Sequence, residues 1–417
     1  MKLPSFIKAI LIFSFILLSI YILYSKGIIN NHLHLFNPGY RLTDLSQCTK
    51  GLELSHQYLL LYSKGETPNY CPAENLGDDM GIYLFIPLIQ HFFNTDTYLA
   101  YLGFFCSIVL LGYSLAAIGF GLLFQDDRIK FFSYFYLALI AFISLFILDV
   151  YILAYLVTSL IPLLYWIWKK YEAKHIGILY PIIALLATGL LASIASTFRV
   201  YSGIGILLMV ALFILLEKKI TILRKFLFIG ALFITLPLCK LFTDRQINQR
   251  DKWLVTTGNY TLNNKLTNHP IWHNMYLGLG ILPNKYGISW SDTIAFNKEK
   301  QFNADRHHLS PQYLNAIKND YLDIIKNDLP FVLKTIAYKC FLVLLMCIIF
   351  FNYGLFLMRR IKFSYKLYLP LFAGIGFYVL PGILTYPLPH YIFGALNILA
   401  ICLLFLINEV YSSTKSS

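Results

Sequence analysis

Long apolar runs separated by short basic segments dominate the chain. Stretches of about 17 to 25 residues, the length at which a helix crosses a hydrocarbon core, lie near 6–24, 98–124, 131–148, 151–168, 176–197, 200–216, 226–242, 332–358, 367–384 and 391–410. They predict about ten transmembrane helices, an all-α polytopic membrane protein whose residues 1–417 form a single membrane domain. Two polar stretches, 25–97 and 243–331, are too long for turns. We read them as outer loops carrying amphipathic surface helices, with the last three spans in 332–417. In the second loop, Ser310 and Pro311 read as N-cap and first helical residue, and Leu314, Ile317, Tyr321 and Ile324 share one face. That helix should lie on the membrane before Pro330 turns the chain into the eighth span.

The short loops give an orientation. Basic residues gather on one side, among them Lys8, Lys130, Lys169, Lys219, Arg360 and Lys415, whereas the short loops of the other side hold Arg199 alone. By the positive-inside rule both termini are cytoplasmic, and the two long loops face the periplasm or exterior of a cell (inner) membrane. Composition agrees: 58% of residues are hydrophobic and only 13% charged, where soluble proteins have roughly a quarter charged. The net charge of +13 therefore reflects membrane topology, and we expect no nucleic-acid partner. The apolar run after Lys8 is long and lacks a small-x-small cleavage site, so it reads as an uncleaved anchor. Cys48 and Cys71 share the first polar loop. They would stabilise it as a disulfide in an oxidising compartment, and two free thiols are the alternative.

Chemistry-bearing residues fall at the outer ends of the spans. Asp78 and Asp79 close the first loop ahead of an apolar run, Ile82 to Phe93, of interfacial or re-entrant length. Asp149 lies in the second outer turn, Arg199 in the third and His390 in the last. A carboxylate can take the proton of an attacking hydroxyl, and a guanidinium can grip a phosphate leaving group with two hydrogen bonds. Each residue also has a structural reading: Asp79 as a helix cap, Asp149 as a turn residue, Arg199 as an interfacial anchor, and His390 as a member of an aromatic belt. In the second loop His269 and His273 stand four apart, but no zincin glutamate accompanies them and Pro270 disturbs the spacing. With Trp272 and Tyr276 they better suit a saccharide surface, or else a packed loop core.

Taken in order, these motifs resemble the GT-C superfamily of integral-membrane glycosyltransferases, which includes protein O-mannosyltransferases and lipid A aminoarabinose transferases. The resemblance rests on Asp78-Asp79 followed by Tyr83, on Asp149-Val150-Tyr151, on the arginine-then-glycine stretch Arg199 to Gly203, and on Tyr386-Pro387-Leu388-Pro389-His390-Tyr391. In the last motif His390 and Tyr391 stand where members often carry an arginine-tyrosine pair. What the resemblance implies is inverting transfer of a sugar from a polyprenyl-phosphate donor to a hydroxyl of a glycan, glycolipid or protein acceptor. Asp79 or Asp78 would be the general base and Arg199 would hold the phosphate. Asp149, His390, Tyr391, Tyr83, His269, Trp272 and His273 would contact substrate. Lys240 and Lys339 are possible substitutes for the missing arginine. No metal or cofactor is expected, since the lipid-linked sugar is itself the substrate. A lipid-linked oligosaccharide polymerase or ligase is the near alternative. A transporter or flippase is the distant one, against which stand the absence of an inverted repeat and the gathering of charge at span ends.

Overall fold

The computed structural model describes residues 4–25, 41–64, 68–72, 76–147, 149–257, 271–291, 293–294, 297, 311–359 and 365–416. Among them the fold is helical apart from one hairpin. In chain order the elements are α1 (Ser5–Ser25), α2 (Arg41–Ser55), β1 (Leu60–Lys64), β2 (Pro68–Pro72), α3 (Leu76–Phe93), α4 (Thr97–Leu123) and α5 (Asp127–Ser144). There follow α6 (Leu153–Thr158), α7 (Ile161–Glu172), α8 (Leu179–Phe198), α9 (Val200–Leu216), α10 (Ile222–Phe233) and α11 (Thr235–Thr256). The last are α12 (Ile271–Leu277), α13 (Pro311–Asn327), α14 (Leu329–Met358), α15 (Tyr365–Leu384) and α16 (Phe393–Ser416).

Nine helical segments among the described residues are long and apolar enough to cross a membrane. The run at 200–216 forms a helix, α9, but at 17 residues it is shorter than those nine. The chain is a membrane protein: Phe15, Phe131 and Leu223 are 71%, 74% and 77% exposed, a placement that suits lipid and not water. The bundle interior is filled by aromatic and aliphatic side chains, including fully buried Tyr101, Phe105, Tyr155, Phe198 and Tyr378.

Two spans depart from the sequence expectation in an instructive way. The run at 151–168 is broken between α6 and α7. Pro162 has no N–H to offer the carbonyl of Thr158, so the ladder stops there. Asn397 of α16 meets the break: its Nδ2 stands 3.3 Å from the Tyr155 carbonyl, 2.8 Å from Thr158 Oγ1 and 3.1 Å from Ser159 Oγ. The second departure is the run at 226–242, which begins earlier and continues as helix to Thr256. Polar residues past 242 stay helical because they have partners. Arg250 holds Asp251 at 2.7 Å and donates to the Leu59 carbonyl at 3.2 Å, and the Trp253 ring meets Tyr70 of β2 at 5.0 Å. Helix therefore continues 14 residues beyond the end of the apolar run, to Thr256 in place of 242.

The two ends of the bundle differ in character. At one end Glu217, capping α9, pairs with Lys366 at 3.1 Å, and Lys219 lies 4.0 Å from Glu172. Burial works to raise the Glu217 carboxyl, but the Lys219 backbone N–H and the Lys366 ammonium hold it below the ordinary value. At the other end lie the hairpin, α2, the turns at Asp149 and Arg199, and the turn between α15 and α16.

The hairpin pairs Leu61 with Cys71 and Tyr62 with Tyr70 in antiparallel register. Gln90 ties three helices at this end, accepting from Thr49 Oγ1 of α2 at 2.8 Å and from Thr97 Oγ1 of α4 at 2.9 Å. Cys48 and Cys71 are both free thiols, and burial pushes the Cys48 thiol up. Helix α13 begins at Pro311 and buries Tyr313, Ile317, Tyr321 and Ile324 against α12. Asp328 then caps α14, accepting from Phe331 N.

Candidate functional site

Arg199 is the single residue between α8 and α9, in extended conformation with φ −150° and ψ 123°. That conformation carries the guanidinium off both helix axes and onto Tyr151. Nη2 donates to the Tyr151 hydroxyl at 2.9 Å, and the guanidinium carbon stands 4.9 Å from the ring centroid. Tyr151 belongs to the short 3₁₀ turn Val150–Ile152, which Asp149 caps by accepting from Val150 N at 2.7 Å. Asp149 also faces Arg41, with Nε to Oδ1 at 3.4 Å. Arg41 is buried, so this carboxylate neutralises a cation withdrawn from water.

The same tyrosine gathers the last turn of the chain. The His390 ring lies 4.6 Å from Tyr151, and the Tyr391 ring 5.1 Å from it at 76°. Trp290 extends the aromatic surface, 6.4 Å from Tyr391 and 4.9 Å from Tyr386. Arg199, His390 and Tyr391, separated by up to 192 positions in sequence, thus converge on the Tyr151 side chain, while Asp149 caps the turn that carries it.

Helix α3 approaches from the other flank. A Cβ at Gly81 would meet the Phe198 ring and stand 2.7 Å from Thr197 Oγ1, so only glycine lets α3 press against the last turn of α8. Phe85 stacks on Phe198 at 5.6 Å one turn further on. Asp78 and Asp79 lie in the first turn of α3, within one turn of Gly81, so the α3–α8 contact brings their backbone to the residues preceding Arg199. Their side chains lie outside the described residues. Tyr83 is buried and lies beside Asp44 of α2. Burial raises the Asp44 carboxyl above its ordinary value, opposed by Tyr83 and by Arg41.

Other residues singled out from sequence sit elsewhere. His273 is buried, and its Nδ1 shares a hydrogen bond with the Tyr313 hydroxyl of α13. Trp272 packs on Tyr321 at 6.0 Å, with Lys318 Nζ 5.5 Å above its ring. Trp272 and Tyr276 thus serve the small core between α12 and α13, which is distinct from the main bundle core against which Tyr151 and Tyr391 pack. His269 lies outside the described residues. Lys240 is engaged by Asp244 at 2.8 Å. Among the described residues no group of three His, Cys, Asp or Glu side chains is placed to hold a metal ion.

Arg41, Asp44 and Trp290 had no signal in the sequence. Each is an ordinary residue of a long polar loop until the fold sets it against Asp149, Tyr83 and Tyr391. In comparisons with known proteins no family model matches the chain, and no curated protein and no solved structure does either.

The cluster combines a guanidinium stacked on a phenol, a flat aromatic wall and a nearby helix start bearing two carboxylates. A guanidinium held this way keeps its N–H groups in a fixed plane, the geometry that phosphate oxygens accept bidentately. An aromatic wall offers a sugar ring an apolar face.

Proposed function

We propose that the protein is a GT-C type glycosyltransferase, taking a sugar from a polyprenyl-phosphate donor to a hydroxyl acceptor at the outer rim of the bundle. The observation that carries this reading is the seating of Arg199 on Tyr151, with His390 and Tyr391 around the same ring and Asp149 capping its turn. In this mechanism the acceptor hydroxyl attacks the sugar C1 and a new C–O bond forms. The bond from C1 to the carrier phosphate breaks, its electron pair leaving on phosphate, where the Arg199 guanidinium neutralises the gathering charge. The hydroxyl proton passes to Asp79 or Asp78 at the start of α3. Attack opposite the leaving group inverts the anomeric configuration.

Topology supports this reading. The basic residues of the short loops assign the Glu217–Lys366 end to the cytoplasm and leave the Arg199 end at the periplasmic or outer face, where a lipid carrier can dock laterally. No metal is assigned a role, because the leaving phosphate is held by a cationic side chain. Purified protein given a polyprenyl-phosphate sugar should release polyprenyl phosphate only when an acceptor is present. Asp79→Asn should lower that rate by about two to four orders of magnitude, as loss of a general base does. Full turnover in an Asp78→Asn/Asp79→Asn double variant would remove α3 from the chemistry.

A further inference from the structure

Lys339 is only 2% exposed, inside the apolar helix α14. An ionisable residue buried in a membrane span is retained at a cost and marks a functional position more often than not. Its Nζ stands 2.6 Å from the point a Cβ of Gly278 would occupy, and the Thr385 carbonyl oxygen crowds the same point. Gly278 is therefore held to glycine by an ammonium and a carbonyl together. Thr385 ends the last helix turn before the Pro387–His390 stretch, which puts Lys339 at the depth of the site end.

Among the described residues no carboxylate is seated against this ammonium. The nearest acid in sequence, Asp328, is already shared by Lys285 at 2.9 Å and the Tyr286 hydroxyl at 3.1 Å.

Between Lys339 and Arg199 runs a line of rings. Tyr386 follows Thr385 and meets Trp290 at 4.9 Å, Trp290 meets Tyr391 at 6.4 Å, and Tyr391 meets Tyr151, on which Arg199 sits. Two cations separated by an uncharged aromatic wall do not describe one phosphate site. They suit two anionic groups, one at each end of the line of rings.

We infer that Lys339, beside the Gly278 backbone, forms a second anion subsite that receives a negatively charged group of the acceptor, a phosphate or carboxylate borne on a sugar. This rests on the glycosyltransferase reading and narrows it: the acceptor is an anionic glycan. The carrier phosphate belongs at Arg199. The acceptor arrives from the aqueous side, where the Gly278–Ile281 turn of the second loop supplies one wall of the subsite.

The test is saturation-transfer NMR on the full chain in phosphatidylcholine nanodiscs, with glucose 6-phosphate, glucuronate and glucose as probes. A polyprenyl phosphate is titrated separately. Wild-type protein should transfer saturation to the two anionic sugars and not to glucose. Lys339→Met should weaken that transfer at least tenfold, Lys339→Arg should restore most of it, and polyprenyl phosphate affinity should stay within twofold in Lys339→Met. Thermal unfolding of each variant establishes that it is folded. Unchanged transfer in folded Lys339→Met, equal transfer to glucose, or none to either anion would overturn the subsite. Loss of polyprenyl phosphate binding in Lys339→Met would give the ammonium to the carrier and overturn the acceptor assignment. Failure of wild-type protein to bind polyprenyl phosphate refutes the carrier reading instead, and the sugar probes still decide Lys339.

Discussion

Replacing Arg199 by alanine removes a hydrogen bond and a stacking contact on Tyr151 and, on the proposed reading, one contact with the carrier phosphate, whose sizes can be reckoned separately. The hydrogen bond from Nη2 to the Tyr151 hydroxyl at 2.9 Å involves a charged donor, worth about 1.5 to 3 kcal/mol. The stacking at 4.9 Å adds about 0.5 to 1 kcal/mol at a partly exposed site. These terms orient the guanidinium; its contact with a phosphate is the ligand term. Losing a charged, two-pronged contact should cost about 2 to 4 kcal/mol of phosphate binding. At about 1.4 kcal/mol per factor of ten, Kd for a polyprenyl phosphate should rise roughly thirty- to several-hundred-fold.

Arg199→Lys keeps the charge but not the planar fork or the ring stacking, so it should fall between wild type and alanine. Tyr151→Phe keeps the ring and removes the hydroxyl, and should weaken binding by less than Arg199→Lys. Titration of polyprenyl phosphate into nanodisc-embedded protein, followed by native mass spectrometry, measures all three. The reasoning fails if Arg199→Ala binds within threefold of wild type while unfolding at the same temperature. It fails equally if alanine and lysine variants are indistinguishable, because charge and geometry would then have no role at this position.

Two further outcomes follow from contacts away from the site. Asn397→Ala should lower thermal stability in detergent by about 1 to 3 kcal/mol, because the Tyr155 carbonyl and two hydroxyls at the α6–α7 break lose a buried donor. A wild-type melting profile in that variant would mean that the break needs no bridge. Asp328 lies below its ordinary value chiefly through the Lys285 hydrogen bond, and Lys285 is correspondingly raised. A depressed carboxyl contributes stability that is present above its unfolded value, about 4, and lost as pH falls through the folded value. A raised lysine contributes below its unfolded value, about 10.4, and loses that contribution as pH rises through the folded one. The protection factors of α12 and α13 amides, exchange rates divided by the intrinsic rate at each pH, should therefore stay flat between those limits and fall in acid. Asp328→Asn should flatten the acid limb, and an unchanged limb would place the titrating group elsewhere.

If the acceptor is anionic, the division of labour between the two long loops has a physical basis. The first supplies the α3 helix start, pressed onto α8 through Gly81 and anchored by Gln90 to α2 and α4. The second supplies the Gly278 turn over Lys339. Contact of α11 with the first loop, through Arg250 and Leu59 and through Trp253 and Tyr70, would hold the two halves in one register.

Hydropathy alone was enough to determine that this is a helical membrane protein, because a span must satisfy its backbone internally and cover it with apolar side chains along its whole length. Periodicity placed the helix that begins at Pro311. Loop position picked out Asp149, Arg199 and His390, since a charged or polar residue at a span end is visible against apolar neighbours. What hydropathy could not see was helix that continues in polar residues, as from 243 to Thr256, or stops inside an apolar run, as before Pro162. Pro162 stops the second helix locally, but the partners at both places, Leu59 and Asn397, are far away in sequence. The pairing of Arg41 with Asp149, the Tyr83 contact to Asp44 and the buried seat of Lys339 were likewise settled by packing. Such contacts depend on which helix faces bundle assembly turns toward one another, and that information is spread over the whole chain.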